Sequence, residues 1–193
     1  MNKPIAIIAG EPNSIASEII FKSWILRRKY ICKPWFIIGN YQHLNVQRKK
    51  LNYQIDLKKI NKESEINKTS KNKLLVYDIE YKQKRPFEKI SDKSSSYILS
   101  CFEHAIKLFN KKKIRGFINC PVSKEFLFKK NYQGITEFLS KKTKKIGNEV
   151  MLIYNEKLSV SPITTHVPLN QVSQGINKTK IIKKVMIINN FYK

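Results

Sequence analysis

The chain has 193 residues, room for one domain or little more, and 41% of them are hydrophobic, enough for a buried core. No apolar run reaches the roughly 18 residues that span a bilayer, and Lys3-Pro4 before a short apolar stretch is no secretory leader; the expectation is a cytoplasmic protein without a membrane partner. The formal charge of +24 favours polyanions in general, with no demand for a specific nucleic-acid partner.

Residues 4–9 are a short apolar run rich in isoleucine, which predicts a buried parallel strand. A Gly-Glu-Pro-Asn-Ser turn (10–14) follows, with Ser14 placed to cap a helix that buries Ile15, Ile19, Ile20 and Trp24 and ends near Arg27-Arg28-Lys29. Residues 35–38 predict a second strand. This strand, helix, strand unit is the signature of an α/β sheet. Further on, 41–50 predicts a helix and 53–57 a short strand. The lysine-rich segment 58–73 predicts a surface loop or linker within the domain. Then come a strand at 74–79, a long amphipathic helix at 94–110, and a strand at 114–119. Ser123 is placed to cap a helix through Phe128. A short helix is predicted over 136–142, a hairpin from 150–154 and 158–163, and a last helix capped by Asn177 that carries Ile181, Ile182, Val185, Met186 and Phe191. The chain stops directly after that helix, where an α/β sheet would continue with a strand, so it reads as truncated at its C-terminus.

Only five of the 38 basic residues are arginine (Arg27, Arg28, Arg48, Arg85 and Arg115). Arginine is the fork that suits phosphates and base edges. The lysines are spread along the whole chain beside abundant Ile and Asn and scarce Ala, a balance that AT-rich codons produce without selection for nucleic acid. Cys32, Cys101 and Cys120 are widely spaced, without a CxxC pair, which argues against a disulfide framework or structural zinc site and fits a reducing compartment.

Neither GxGxxG nor a Walker pattern is present. The chemistry-bearing segments are loops after strands, where ligands of open α/β sheets collect. The 10–14 turn is one. The Asn-Cys-Pro-Val-Ser-Lys loop (119–124) is another: its backbone N–H groups and Lys124 suit an anion, though a capped helix with a solvated lysine explains them equally well. Gly134-Ile135-Thr136 precedes a helix that Thr136 either caps or leaves for a substrate. His166, in the Thr-Thr-His-Val-Pro-Leu segment 164–169, ends a β-like run. It is a turn histidine, a metal ligand or a proton carrier. His43 has no supporting context, and His104, on the long helix, reads as structural.

In this order, the segments Ile-Ala-Gly-Glu-Pro (8–12), Asn-Cys-Pro-Val-Ser-Lys (119–124), Gly-Ile-Thr-Glu-Phe (134–138), Glu-Val-Met-Leu (149–152) and Thr-Thr-His-Val-Pro-Leu (164–169) resemble the 4-hydroxythreonine-4-phosphate dehydrogenase (PdxA) family. The resemblance spans residues 1–193 and covers the N-terminal portion of that family's chain. It implies an open, mostly parallel α/β sheet with flanking helices, like isocitrate and isopropylmalate dehydrogenases. The implied reaction is NAD-dependent oxidation and decarboxylation of 4-phosphooxy-threonine in pyridoxal phosphate biosynthesis. It implies a divalent metal (Zn, Mg or Co) acting as a Lewis acid, and a homodimer.

By the same resemblance His166 is the first of three metal histidines, Thr136 is a substrate contact, and Lys124 is an aid to the substrate phosphate. Ile135 stands where the family has a substrate-binding histidine, and Ser14 and Cys120 stand where it has glycines. No residue is assigned a catalytic role. The family's other two metal histidines lie beyond this stretch, so the isolated chain is expected not to turn over. A basic polyanion- or nucleic-acid-binding module and a non-catalytic dimerising relative are the competing classes.

Overall fold

Five short strands carry the first part of the chain: β1 (Ile5–Ile8), β2 (Trp35–Gly39), β3 (Asp56–Ile60), β4 (Lys73–Asp78) and β5 (Gly116–Asn119). They form one parallel sheet in the order β3-β4-β2-β1-β5. The central strands are apolar on both faces, as a helix-covered sheet requires: Ala6, Ile8, Phe36, Ile37, Ile38, Leu74 and Val76 are fully buried. The connecting helices are α1 (Ala16–Leu26), α2 (Tyr41–Lys50) and α3 (Ser95–Asn110), followed by the short α4 (Lys124–Phe128). This computed structural model describes residues 3–30, 33–66, 72–129, 131–132, 134–165 and 167–193. The chain divides into two units, Met1–Leu127 and Phe128–Lys193.

Several expectations shift in detail. The strand expected at 53–57 lies at Asp56–Ile60, so the expected 58–73 loop loses its first three residues to β3 and its last to β4. Lys58 and Lys59 concealed this strand. They sit on a sheet edge, where exposed lysines discourage pairing with another chain. Between the two strands lies a single 3-10 turn, Glu63–Glu65, tied to the long helix by a 2.7 Å ion pair from Lys111 to Glu63; residues 67–71 are outside the described set.

Helix α1 buries half of the expected face, Ile20 and Trp24 but not Ile15 and Ile19. Ile15 and Ile19 are exposed, and Ala16, Ile20 and Trp24, four residues apart, face inward with Ser17 and Phe21. The N-cap position falls on Ile15, one residue after Ser14. The Ser14 hydroxyl still accepts the Ala16 N–H at 3.1 Å. On α3, Tyr97, Ile98, Cys101, Ala105 and Leu108 are buried as the spacing predicts, together with Phe102, while Phe109 faces solvent.

The second unit holds α5 (Ile135–Lys142), α6 (Val172–Gly175) and α7 (Lys178–Tyr192). Phe128, Tyr132 and Phe138 make a three-ring cluster with centroids 5.4 Å apart in each pair. The hairpin expected across 150–163 is reduced to one antiparallel bridge, Ile153 to Val160, closed by hydrogen bonds of 2.8 and 2.9 Å. Much of its apolar surface is left uncovered: Ile153, Leu158 and Val160 are exposed. Asn177 caps α7 as expected, its Oδ1 accepting the Lys180 N–H at 2.9 Å.

Candidate active site

The strand order reverses about β1, which opens a crevice between the carboxyl ends of β1 and β5. The 10–14 turn leaves one strand there and the 119–124 loop leaves the other. Gly10 joins them. Its φ is +75°, and a Cβ at that position would sit 2.5 Å from the Pro121 carbonyl oxygen, so only glycine fits. The next residue, Glu11, donates its N–H to the same carbonyl at 2.9 Å. Its carboxylate is buried, accepting the Ser94 hydroxyl at 2.8 Å and the Asn13 N–H at 3.1 Å.

The two family glycine positions filled by Ser14 and Cys120 cause no backbone strain, since neither residue is among those with positive φ. Ser14 donates to the Glu11 carbonyl at 2.8 Å and so supports the turn. Cys120 is buried, which pushes its thiol up to about 11 and leaves it an inert packing group.

A polar clasp that the sequence did not reveal holds this turn from outside. Asn13 and Gln83 exchange hydrogen bonds of 3.2 and 2.7 Å through their amides, and the Glu88 N–H donates to Asn13 Oδ1 at 2.8 Å. Gln47, buried on α2, donates to the carbonyls of Pro12 at 2.6 Å and Pro86 at 2.9 Å. Seventy residues separate Asn13 from Gln83, and no local pattern marks such a pair.

At the neighbouring strand end, Asn40 caps α2, its Oδ1 accepting the His43 N–H at 2.8 Å, and Asp78 Oδ1 accepts the Tyr41 N–H at 2.7 Å. A carboxylate of the protein itself thus occupies the anion position at the start of α2.

His43 is buried edge-on against Tyr81, with ring centroids 5.3 Å apart. Burial holds its pKa below the ordinary imidazole value, outweighing the nearby Pro12 carbonyl, Glu88 and Gln83 backbone, all of which favour the proton. Nε2 reaches no partner within bonding geometry. Tyr81 in turn stacks on Tyr97, centroids 4.5 Å apart, and its phenol is pushed to about 12, by burial above all and then by the Glu11 and Glu88 charges. His104 behaves as expected of a structural residue: its Nδ1 lies 2.9 Å from the Ser100 carbonyl.

Lys124 opens α4 at the end of the rim loop and is exposed. That helix has only five residues, so its dipole adds little for an anion. Ile135 and Thr136 lie in the second unit, at the start of α5, both half-buried. Gly134 holds the N-cap position there, which leaves Thr136 without a capping role. Thr136 lines a cavity of about 320 Å³ with Glu137, Thr165, Lys180, Lys183 and Lys184 among its walls.

Lys180 and Lys184 donate to the carbonyls of Gly175 at 2.9 Å and Pro162 at 3.1 Å. Glu137 Oε2 is buried without a hydrogen-bond partner. Across the same cavity, burial raises the pKa of Glu149, but hydrogen bonds from backbone N–H groups at 147–149 and from Ser140 outweigh it, and the net shift is downward. His166 lies outside the described residues. Among the described residues no group of three or more His, Cys, Asp or Glu could hold a metal ion.

The family model for the pyridoxal phosphate biosynthetic protein PdxA matches residues 30–193. The chain belongs to the PdxA family. The 10–14 turn precedes that match, but alignments with individual relatives take in nearly the whole chain. The family member is 32% identical over 193 residues to the 4-hydroxythreonine-4-phosphate dehydrogenase of Aquifex aeolicus (strain VF5), covering 97% of this chain and 57% of that protein. It is 29% identical to the enzyme of the same name from Sulfurihydrogenibium sp. (strain YO3AOP1), covering 98% and 58%.

The fold matches the crystal structure of a 4-hydroxythreonine-4-phosphate dehydrogenase from Burkholderia phymatum with a TM-score of 0.83 at 20% identity, covering 96% of this chain and 57% of that one. The PdxA-family chain thus spans a little over half the length of these relatives. Its parallel α/β sheet with flanking helices is the architecture expected from sequence. No helix among the described residues is long and apolar enough to cross a membrane.

Proposed function

We propose that this chain carries the substrate-contacting part of a dehydrogenase that oxidises 4-phosphooxy-threonine. The cavity around Thr136 carries the reading. A phosphorylated amino acid offers a phosphate and a carboxylate, which suit the ammonium groups of Lys180, Lys183 and Lys184, each with three N–H donors and at most one donor committed to a carbonyl above. It also offers an ammonium and a hydroxyl, which suit the unsatisfied Glu137 Oε2 and the Thr136 and Thr165 hydroxyls. Ile135, at the family's histidine position, supplies no hydrogen bond. Lys124, in the other unit, remains a proposed aid to the substrate phosphate.

In the family chemistry NAD accepts the hydride and a divalent metal polarises the reacting oxygen. The described residues do not fit the metal: His43 is buried, His104 is turned to a helix carbonyl, and no third ligand joins them. A role for His166 as a metal ligand rests on family resemblance, and the metal, like NAD, belongs to the proposal. So do the cytoplasmic location and the homodimer, the latter supported by the exposed Val185, Met186, Phe191 and Tyr192 of α7.

Calorimetric titration with 4-phosphooxy-threonine tests the reading, with NAD reduction followed in the same preparation. Saturable binding without turnover is expected. No binding would refute the substrate assignment, and turnover would refute the incompleteness of the metal site.

A further inference from the structure

Three of the chain's five arginines line one cleft. Arg27 and Arg28 follow the C-terminus of α1 and Arg48 lies in the last turn of α2, and with Trp24, Gln54 and Asp56 they face a cavity of about 510 Å³ in the first unit. The strands are parallel and the helices run back against them, so this cleft lies at the amino end of the sheet, where β3 begins at Asp56. The crevice around Gly10 lies at the opposite, carboxyl end. Nothing in the dehydrogenase reading uses this site.

Basic side chains at helix C-termini offset the dipole, and lysine does that as well as arginine. In a chain whose basic residues are overwhelmingly lysine, three guanidinium groups around one cavity call for a further reason. Two of them are held in place. Arg27 stacks on Trp24, its Cζ 3.7 Å from the ring centroid, and also donates to the Trp24 carbonyl. Arg48 donates through Nε to Asn45 at 3.1 Å and through Nη1 to the Tyr53 carbonyl at 3.0 Å. A guanidinium has five N–H donors, so Arg48 keeps donors beyond these two. The stack on Trp24, itself edge-on to Trp35 at 5.3 Å, fixes a guanidinium plane before any ligand arrives. Burial first, and then the Arg28 charge, make the Arg27 cation less favourable.

We propose that this cleft binds a small molecule bearing a diphosphate group. Three guanidinium groups match two adjacent phosphoryl groups in charge and in forked hydrogen-bond geometry. The volume suits a ligand of nucleotide size. Gln54 and Asp56, also on the lining, offer an amide and a carboxylate to amine or hydroxyl groups of such a ligand. A concave site in which the three arginines stand beside the Asp56 carboxylate is a poor seat for a continuous polyanion, which favours a small diphosphate over nucleic acid.

The test is calorimetric titration of the whole chain at about 0.15 M salt, where diffuse charge attraction is screened. The probes are inorganic pyrophosphate, ADP and a single-stranded oligonucleotide. Pyrophosphate is expected to bind at one saturable site, with a change in Trp24 fluorescence. Arg28→Gln, at an exposed position after the helix, should leave the melting temperature unchanged and weaken binding roughly tenfold or more. Lys157→Gln, in the second unit, should have no effect. ADP binding tighter than pyrophosphate would support the site and assign the nucleoside end to Gln54 and Asp56, and equal affinities would support it for the diphosphate alone. No saturable site, equal weakening by the two substitutions, or Arg28-dependent binding of the oligonucleotide alone would overturn the proposal.

Discussion

Phe36 and Phe102 in the first unit have no exposed surface, whereas Phe191 and Tyr192 at the end of the second are 76% and 56% exposed. The contrast extends beyond these rings. The first unit closes its core between sheet and helices, with Phe21, Ile37, Leu74 and Ile98 sealed inside. In the second, Ile153, Leu158, Val185 and Met186 all face outward, and among its described large apolar residues only Phe128 and Phe138 are buried. A parallel sheet covered by helices satisfies its own backbone and its own apolar faces. A single bridge and a fifteen-residue helix cannot do so without a further surface to cover them. The difference teaches that the rim of the first unit is set in a sealed core, while the α7 wall of the cavity around Thr136 has little packing to hold it.

The largest effects should fall in the first unit. Phe36→Ala is expected to destabilise the protein by about 3–5 kcal/mol in denaturant unfolding, the cost of emptying a sealed core position. Gly10→Ala should cost about 3 kcal/mol, since it combines a left-handed φ with a collision against the Pro121 carbonyl. A loss under about 1 kcal/mol would mean that the two rim loops are not locked together as described.

Next in size is the substrate contact. Thr136→Val should weaken 4-phosphooxy-threonine binding roughly tenfold in calorimetry, the worth of one hydrogen bond to an ionic ligand. Restoring the family residue with Ile135→His should strengthen binding, and an unchanged affinity would remove position 135 from the site.

A smaller effect concerns pH. The folded-state pKa of His43 lies below the ordinary 6.5, so the unfolded chain takes up a proton that the folded protein resists. The stability this residue contributes is present above 6.5 and is lost as pH falls through its depressed folded value. Unfolding free energy should therefore drop on acidification more steeply in the native protein than in His43→Phe, which keeps the ring against Tyr81. Parallel pH profiles would show that the imidazole is solvated. Smallest of all, Val185→Ala on the exposed face of α7 should change stability by less than about 0.5 kcal/mol. A core-sized loss there would erase the contrast between the units.

Where the sequence was legible, a strong local signal existed. The strands at Ile5–Ile8 and Trp35–Gly39 are apolar, β-branched runs closed by glycine, and α3 repeats its apolar residues at helical spacing. The Asn177 cap is a local rule obeyed. The misses are cases where tertiary context decides. Lys58 and Lys59 make β3 read as a loop, although pairing with β4 makes it an edge strand. Ile15 and Ile19 are apolar enough for a core, but the phase of α1 turns them outward. At the candidate site the motifs marked Gly10, Pro121 and Thr136, because such turns have fixed local chemistry. They could not mark Gln47 and Gln83, whose hydrogen bonds to the 10–14 turn join segments that only the fold brings together. The arginine cleft escaped for the same reason: Arg27, Arg28 and Arg48 meet only once α1 and α2 lie side by side.

The most direct measurement is two-dimensional amide NMR of the isotopically labelled chain during titration with 4-phosphooxy-threonine. Saturable shifts at Thr136, Glu137, Thr165 and Lys183, absent in Thr136→Val, are the result this account requires. Shifts confined to the arginine cleft, or none that saturate, would contradict it.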